Sequence, residues 1–297
     1  MTTAQALDVT ARSVSHREAE VFLGHVLGIE RSSIVAHPEK NLTTQQEEAF
    51  LLCLQRRENN EPVAYITGHK EFYGREFATD ARALIPRPET EGLIDRALEW
   101  LPGHFTSHLA KTNKPCPLAI LEIGTGCGNI AITLALELAQ RSVPATILAT
   151  DVSPPALEVA RQNGKQLAAD SLPLVHLSWL EANMFTNSAI FKAAPYDLII
   201  ANLPYVPTSW RFDPAAQPEV VFMEPEIALF GGADGLDLYR IFFAQAAQYL
   251  ATDGRILIEY GEDETGDITP LAFTAFPNRT IETFKDYAGL DRVLQVS

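Results

Sequence analysis

Asn202-Leu203-Pro204-Tyr205 is the tetrapeptide whose residue types could act together on a planar nitrogen. An NH2 group conjugated to a π system is a poor nucleophile, because its lone pair is delocalised. The Asn202 side-chain oxygen and the Leu203 backbone carbonyl could each accept one of its N–H bonds. That would hold the nitrogen in line with an electrophilic methyl group, so catalysis would consist mainly of positioning and polarisation. Pro204 completes the turn, and Tyr205 would supply an aromatic wall for the flat acceptor. The plain alternative is an Asn-x-Pro turn that merely ends the apolar run Asp197–Ala201.

A second cluster reads as a cofactor loop. The apolar run Leu121-Glu122-Ile123 enters Gly124-Thr125-Gly126-Cys127-Gly128, and a helical pattern follows from Asn129. Such a strand, turn and helix can bring backbone close to a nucleotide-type ligand. The G-T-G-C-G spacing departs from the dinucleotide fingerprint G-x-G-x-x-G and so points away from NAD. Asp151 ends the next apolar run, where a carboxylate can accept both hydroxyls of an adenosine ribose; capping the helix near Pro154 is its structural alternative. With the Asn-Leu-Pro-Tyr stretch, a variant of the Asn/Asp-Pro-Pro-Tyr motif of methyltransferases acting on amide or amine nitrogen, these residues point to S-adenosylmethionine as cofactor.

The elements that must position these groups follow from periodicity. Strands are expected at Ala119–Ile123, Thr146–Thr150, Leu174–Trp179, Asp197–Ala201 and Arg255–Tyr260. Helices are expected at Asn129–Gln140, Pro154–Lys165, Gly235–Leu250 and about Thr265–Phe276. The alternation predicts a mainly parallel, doubly covered sheet, closed by an antiparallel pair at Thr280–Phe284 and Arg292–Val296. Upstream, Ser15 and Glu18 form a capping box for a helix stopped at Gly28, and another helix starts at Thr43 or Thr44. Phe72–Phe77 reads as a hairpin. A helix is expected from Thr90 to Leu101, and the polar stretch Pro102–Pro117 as a surface loop. The fold class is α/β: a small helical domain over residues 1–70, a hairpin linker over 71–86, and a Rossmann-like seven-stranded domain over 87–297.

Composition narrows the partners. The chain has 297 residues, 46% hydrophobic and 21% charged, with acidic residues outnumbering basic ones 38 to 23 for a net charge of −15. A protein that tracks a phosphate backbone needs a basic stripe, so nucleic acid is disfavoured as the direct substrate. Arg56-Arg57 is read as solvated helix surface. Three scattered cysteines suit a reducing compartment and show no metal-ligand spacing. No apolar run approaches the roughly 20 residues of a membrane span, and the first residues lack a signal core. A cytoplasmic, metal-free, membrane-independent protein is expected.

Beyond these motifs the chain resembles the release-factor glutamine methyltransferases of the HemK/PrmC type. The likeness runs through Pro62–Gly68, Glu71–Gly74, Ile85-Pro86-Arg87-Pro88-Glu89-Thr90-Glu91, Glu224–Leu229, Gly231–Leu236 and Lys285–Arg292. It implies methylation of the Gln side-chain amide in the Gly-Gly-Gln motif of class I peptide-chain release factors, with the helical domain helping to grip that partner. It further implies that Gly124–Gly128 and Asp151 line the cofactor site, with Met184 near the adenine. Asn202–Tyr205 would hold the glutamine, and Arg87, Glu89 and Glu91 would lie beside the pocket, unless their loop is only a rigid connector. The family usually has Pro where this chain has Leu203, and often an acid at Asn183. An rRNA adenine methyltransferase shares Asn-Leu-Pro-Tyr, but it starts close to its cofactor loop and ends in a basic domain. A DNA amine methyltransferase and a catalytically silent cofactor-binding module are the remaining alternatives.

Overall fold

The computed structural model describes residues 1–8, 14–112, 116–213 and 223–297. Two compact units divide at His69/Lys70. The first contains α1 (Thr3–Asp8), α2 (His16–Leu27), α3 (Arg31–Ala36), α4 (Thr44–Glu58) and α5 (Val63–Thr67). Ser15 and Glu18 form the expected capping box on α2, and Gly28 ends it in the left-handed region. Thr43 and Gln46 cap α4 in the same way. The apolar faces close around Phe22, Leu23, Ile34, Phe50 and Leu54. Arg56 and Arg57 are not the solvated surface expected of them. Arg57 Nε donates to Glu18 at 2.8 Å. Arg56 binds Glu61 and the carbonyls of Tyr65 and Ile66, tying α4 to α5. Paired acids and free carbonyls on neighbouring helices recruit both guanidinium groups.

A two-stranded sheet of β1 (His69–Phe72) and β2 (Arg75–Ala78), turning at Tyr73-Gly74, starts at the last residue of the first unit and belongs otherwise to the larger one. Phe72 and Phe77 sink into the same core as Leu93, Ile94 and Leu134. A seven-stranded sheet follows, built from β3 (Leu118–Ile123), β4 (Ala145–Asp151), β5 (Val175–Glu181), β6 (Tyr196–Asn202), β7 (Leu250–Glu259), β8 (Ile281–Lys285) and β9 (Asp291–Val296). Its order is β5-β4-β3-β6-β7-β9-β8, parallel from β5 to β7 and antiparallel across β7-β9-β8. The central strands read as unbroken apolar runs because helices cover both faces. On one face lie α6 (Glu91–Thr112) and α7 (Asn129–Gln140); on the other, α11 (Asp237–Ala246) and α12 (Thr265–Ala275). The remaining helices are α8 (Pro154–Gln166), α9 (Ser188–Ala193) and α10 (Glu226–Leu229). The carboxyl ends of β3, β4 and β6 deliver Gly124, Asp151 and Asn202 to one rim, at the point where strand order reverses from β3 to β6.

Two boundaries differ from expectation. The helix expected over Gly235–Leu250 runs only from Asp237 to Ala246, and Leu250 already opens β7. The stretch read as a loop from Pro102 is instead the second half of α6, which continues to Thr112; residues 113–115 lie outside those described. Tertiary anchors override the weak local signal. Leu101 is fully buried and Phe105 packs against the core. His104 stacks on Trp100 at 4.3 Å, and its Nε2 lies 3.0 Å from Asp197 Oδ1. Asp197 Oδ2 also accepts the Ala119 N–H, so this contact fastens α6 to the sheet.

An interior proline costs a helix about 3 kcal/mol or more through its missing N–H and ring clash. Pro102→Ala should therefore raise the stability of this unit, read as a higher urea midpoint by tryptophan fluorescence. A lowered midpoint would mean that packing of α6 depends on a bend at Pro102.

Candidate functional site

A cavity of about 260 Å³ opens at that rim. Gly124, Gly126, Asp151, Met184, Asn202, Leu203 and Pro204 line it, so the structure brings together residues from four separate stretches of sequence. Gly126, with φ +54°, has open space where a Cβ would stand, as a backbone approached by a ligand requires. Asp151 accepts the Gly126 and Ser153 N–H groups at 2.8 Å each, which folds the loop around its carboxylate. Burial pushes the Asp151 pKa up, against these backbone bonds. The helix cap itself is Ser153, not Asp151. Lone pairs on the Asp151 carboxylate thus remain for a ligand. Met184 is buried against this wall, whereas Phe185 turns away to stack on Tyr249 at 4.7 Å.

A second, smaller cavity of about 30 Å³ is lined by Arg87, Thr90, Thr125, Cys127 and, again, Gly124, Gly126 and Asn202. Gly128 starts α7 and lines neither cavity. Arg87 is paired with the buried Glu224, whose Oε2 also accepts the Ile85 N–H at 3.1 Å. The Ile-Pro-Arg-Pro stretch is thereby clamped against the segment before α10. Glu91 accepts the Tyr73 N–H at 2.8 Å and holds the hairpin turn. Glu89 faces a different cavity of about 90 Å³, with Asp95, Arg96, Lys285 and Tyr287.

The acceptor loop is held from below. Val206 N–H donates to Leu229 O, Gly231 N–H to Val206 O and Thr208 N–H to Gly232 O, at 2.8–3.0 Å. A Cβ on Gly235 would lie 2.1 Å from the Tyr205 carbonyl oxygen, and one on Gly231 2.4 Å from that of Pro204. Backbone therefore lies directly on backbone, which explains the glycines of this stretch. The Tyr239 hydroxyl sits between the carbonyls of Glu259 and Leu203, the latter at 3.1 Å. It has one proton for the two, so the Leu203 oxygen keeps at least one lone pair. Asn202 Nδ2 donates to Thr90 Oγ1 at 3.1 Å, which leaves Asn202 Oδ1 as the acceptor offered to the cavity that Asn202 lines. Tyr205 is not among the residues lining the larger cavity; its hydroxyl stands 3.4 Å from Glu259 Oε1.

Thr90, Tyr239, Glu122 and Glu259 were missed by reading motifs alone. Thr90 is the fourth residue of Arg-Pro-Glu-Thr-Glu, the only signal that marked it. Glu122, next to the last residue of β3, and Glu259, the last of β7, are fully buried. The Thr125 hydroxyl donates to Glu122 at 2.7 Å, yet burial pushes the Glu122 pKa up to about 8. Burial likewise raises Glu259 and Glu264 to about 7 each.

These three acids set the pH dependence of stability. Each holds its proton in the fold well above the ordinary 4.5, so between about 4.5 and about 8 the unfolded chain binds fewer protons than the native one. Stability is then greatest at the acid end of that window and falls as pH rises. His25, lowered by burial, acts in the opposite sense but is a single group in the other unit. All three tryptophans lie in the larger unit, so urea midpoints by tryptophan fluorescence should fall from about pH 5.5 to about pH 8.5. Glu122→Gln should flatten the slope; a midpoint that rises across the range would contradict the assignment.

The chain is similar to known proteins along nearly its whole length. Residues 3–68 match the family model of the PrmC N-terminal domain, and residues 120–215 that of a methyltransferase domain. A release factor glutamine methyltransferase from Bacillus anthracis is 34% identical over 93% of this chain and 90% of its own length. The one from Chlorobaculum tepidum is 36% identical over 93% and 88%. A bifunctional methyltransferase of Rickettsia bellii is 35% identical over 94% of this chain, which spans 50% of that protein. In structure, the N-terminal domain of human METTL16 in complex with SAH superposes with a TM-score of 0.50 at 15% identity, covering 94% of each chain, a likeness of fold alone. The sequence likeness runs through both units and nearly the full length of single-function relatives, so the chain belongs to the release factor glutamine methyltransferase family.

Proposed function

We propose that the protein transfers a methyl group from S-adenosylmethionine to the side-chain amide nitrogen of the Gln in the Gly-Gly-Gln motif of class I release factors. The observation that carries this reading is Asn202, whose NH2 is tied to Thr90 so that its oxygen is left for an incoming N–H. Bound at the rim, the cofactor supplies an electrophilic sulfonium methyl. The open backbone at Gly126 and the buried Asp151 carboxylate suit its adenosine and methionine parts, with Met184 packing beside the base. Asn202 Oδ1 and the Leu203 carbonyl accept the two amide protons and draw electron density toward the nitrogen. Pro204 fixes the loop, and the Tyr205 ring, moored through its hydroxyl to Glu259, flanks the flat amide. Methylation leaves the nitrogen with one proton too many, and the accepting oxygens hold that proton until solvent removes it. Arg87, which lines the smaller cavity, frames the approach of the protein substrate, whereas Glu89 and Glu91 act from behind, Glu91 by holding the hairpin turn. The release factor is the partner in this reading, and the setting is the cytoplasm; no helix among the described residues is long and apolar enough to cross a membrane.

The decisive experiment is methyl transfer from labelled cofactor to purified release factor, with a Gln-substituted Gly-Gly-Gln motif as control. Equal labelling of that control would end the glutamine assignment. Asn202→Ala should leave cofactor affinity nearly intact while turnover falls by about 100-fold or more. Asp151→Ala should do the reverse, weakening cofactor binding by about 1.5–3 kcal/mol in calorimetry. If both variants lose binding alike, the division of labour is wrong.

Leu203→Pro preserves the carbonyl but removes a side chain that is 3% exposed. Transfer should persist while stability drops by about 1–3 kcal/mol. A folded Leu203→Pro protein without turnover would show that the carbonyl is not the group that matters at this position.

A further inference from the structure

An asparagine carboxamide can sit in its slot in two ways, related by a half-turn about χ2 and nearly identical in shape. Only the orientation with oxygen toward the pocket accepts a hydrogen bond from an incoming NH2. The neighbour that discriminates is Thr90, 2% exposed, whose Oγ1 faces Asn202 Nδ2 at 3.1 Å. A hydroxyl both donates and accepts, so by itself it would tolerate either orientation. It becomes an obligate acceptor toward Asn202 only if its own proton is committed elsewhere. Glu259, fully buried at the end of β7, offers that commitment: its Oε1 is engaged by Tyr205, whereas its buried Oε2 has an open lone pair. An ionised carboxylate only accepts.

Building on the acceptor role given to Asn202 above, we propose that Thr90 is a positioning residue: with its proton held by the Glu259 carboxylate, it locks the Asn202 amide with oxygen toward the substrate. The direction of every bond in Glu259, Thr90 and Asn202 then follows from one charge. Protonated Glu259 can itself donate, which frees the Thr90 proton to turn toward Asn202 and removes the preference.

The groups facing Glu259 are few. Thr90 and Glu89 come from the turn before α6, Tyr205 from the acceptor loop and Arg292 from β9; Tyr239 on α11 holds the Glu259 backbone carbonyl. Burial raises the Glu259 pKa to about 7, with Thr90, Arg292 and Tyr205 pulling it down and Glu89 pushing it up. The lock is therefore set above neutral pH and loosened below it.

The test reads the lock directly, by the 15N side-chain amide resonance of Asn202, assigned through its loss in Asn202→Asp. In the wild-type protein with S-adenosylhomocysteine, that resonance should shift with an inflection near pH 7. The inflection should vanish in Glu259→Gln and in Thr90→Val, and return in Thr90→Ser. In parallel, Thr90→Val should lower kcat by about 10–100-fold with cofactor Kd within about twofold of wild type, and Thr90→Ser should recover most of the loss. A resonance indifferent to both substitutions, or a Thr90→Val enzyme within twofold of wild-type kcat, would overturn the proposal. Should Thr90→Val fail to fold, the Glu259→Gln resonance decides alone. The resonance answers even if Asn202→Ala retains full turnover, which would refute the acceptor role and not the lock.

Discussion

The hydrogen bond from Asn202 Nδ2 to Thr90 Oγ1 joins two residues 112 positions apart, one at the end of a central strand and the other in a proline-flanked turn. Neither end is free to adjust. Asn202 is held by β6, which pairs with β3 on one side and β7 on the other. Thr90 is held by the Arg87–Glu224 pair before it and by the Glu91 bond to the hairpin after it. What look like three separate devices, a clamp, a turn and a hairpin, converge on one side-chain orientation. This suits a reaction in which a weak neutral nucleophile must be aligned more than activated.

Much of this was legible in the sequence, for identifiable reasons. The parallel sheet announced itself through apolar runs alternating with helical periods, and the capping box at Ser15 and the helix start at Thr43 stand where their residue types place them. Gly124, Asp151 and Asn202 were recognisable because each terminates a strand, and strand ends are where such folds place ligands. The second half of α6 was not legible. Its histidines, threonines and proline look like a loop until Asp197 and the sheet are present to anchor them. Thr90 was invisible for a related reason: its role depends on which atoms fold against it. The same holds for Tyr239 and Glu259, which a strand or helix pattern marks only as core.

The buried acids add a second constraint. A net charge of −15 would lead one to expect carboxylates facing water, yet Glu122, Glu259 and Glu264 are buried, with one oxygen each left unpaired. Buried unpaired carboxyl oxygens cost stability, and they persist where a site needs them. All three lie next to the loops at the carboxyl edge of the sheet, and none lies at the opposite edge, where His104 and Asp197 instead satisfy one another. Folding stability and site electrostatics are thus drawn from the same groups.

The glycine segment beneath the acceptor loop bears on the size of what can be methylated. With the Tyr205 and Pro204 carbonyls lying against bare backbone at Gly235 and Gly231, the floor of the slot has less clearance than a single methyl group. Such a floor cannot retreat to admit a bulkier acceptor by rotating side chains, as a floor of leucines could. Extra width would have to come from side chains such as Pro225, Ile227 and Ala228, which line the cavity and of which Ile227 is 60% exposed. Depth is set by main-chain contact and breadth by replaceable side chains, so altering the class of acceptor calls for changing those side chains and leaving the glycine contacts alone.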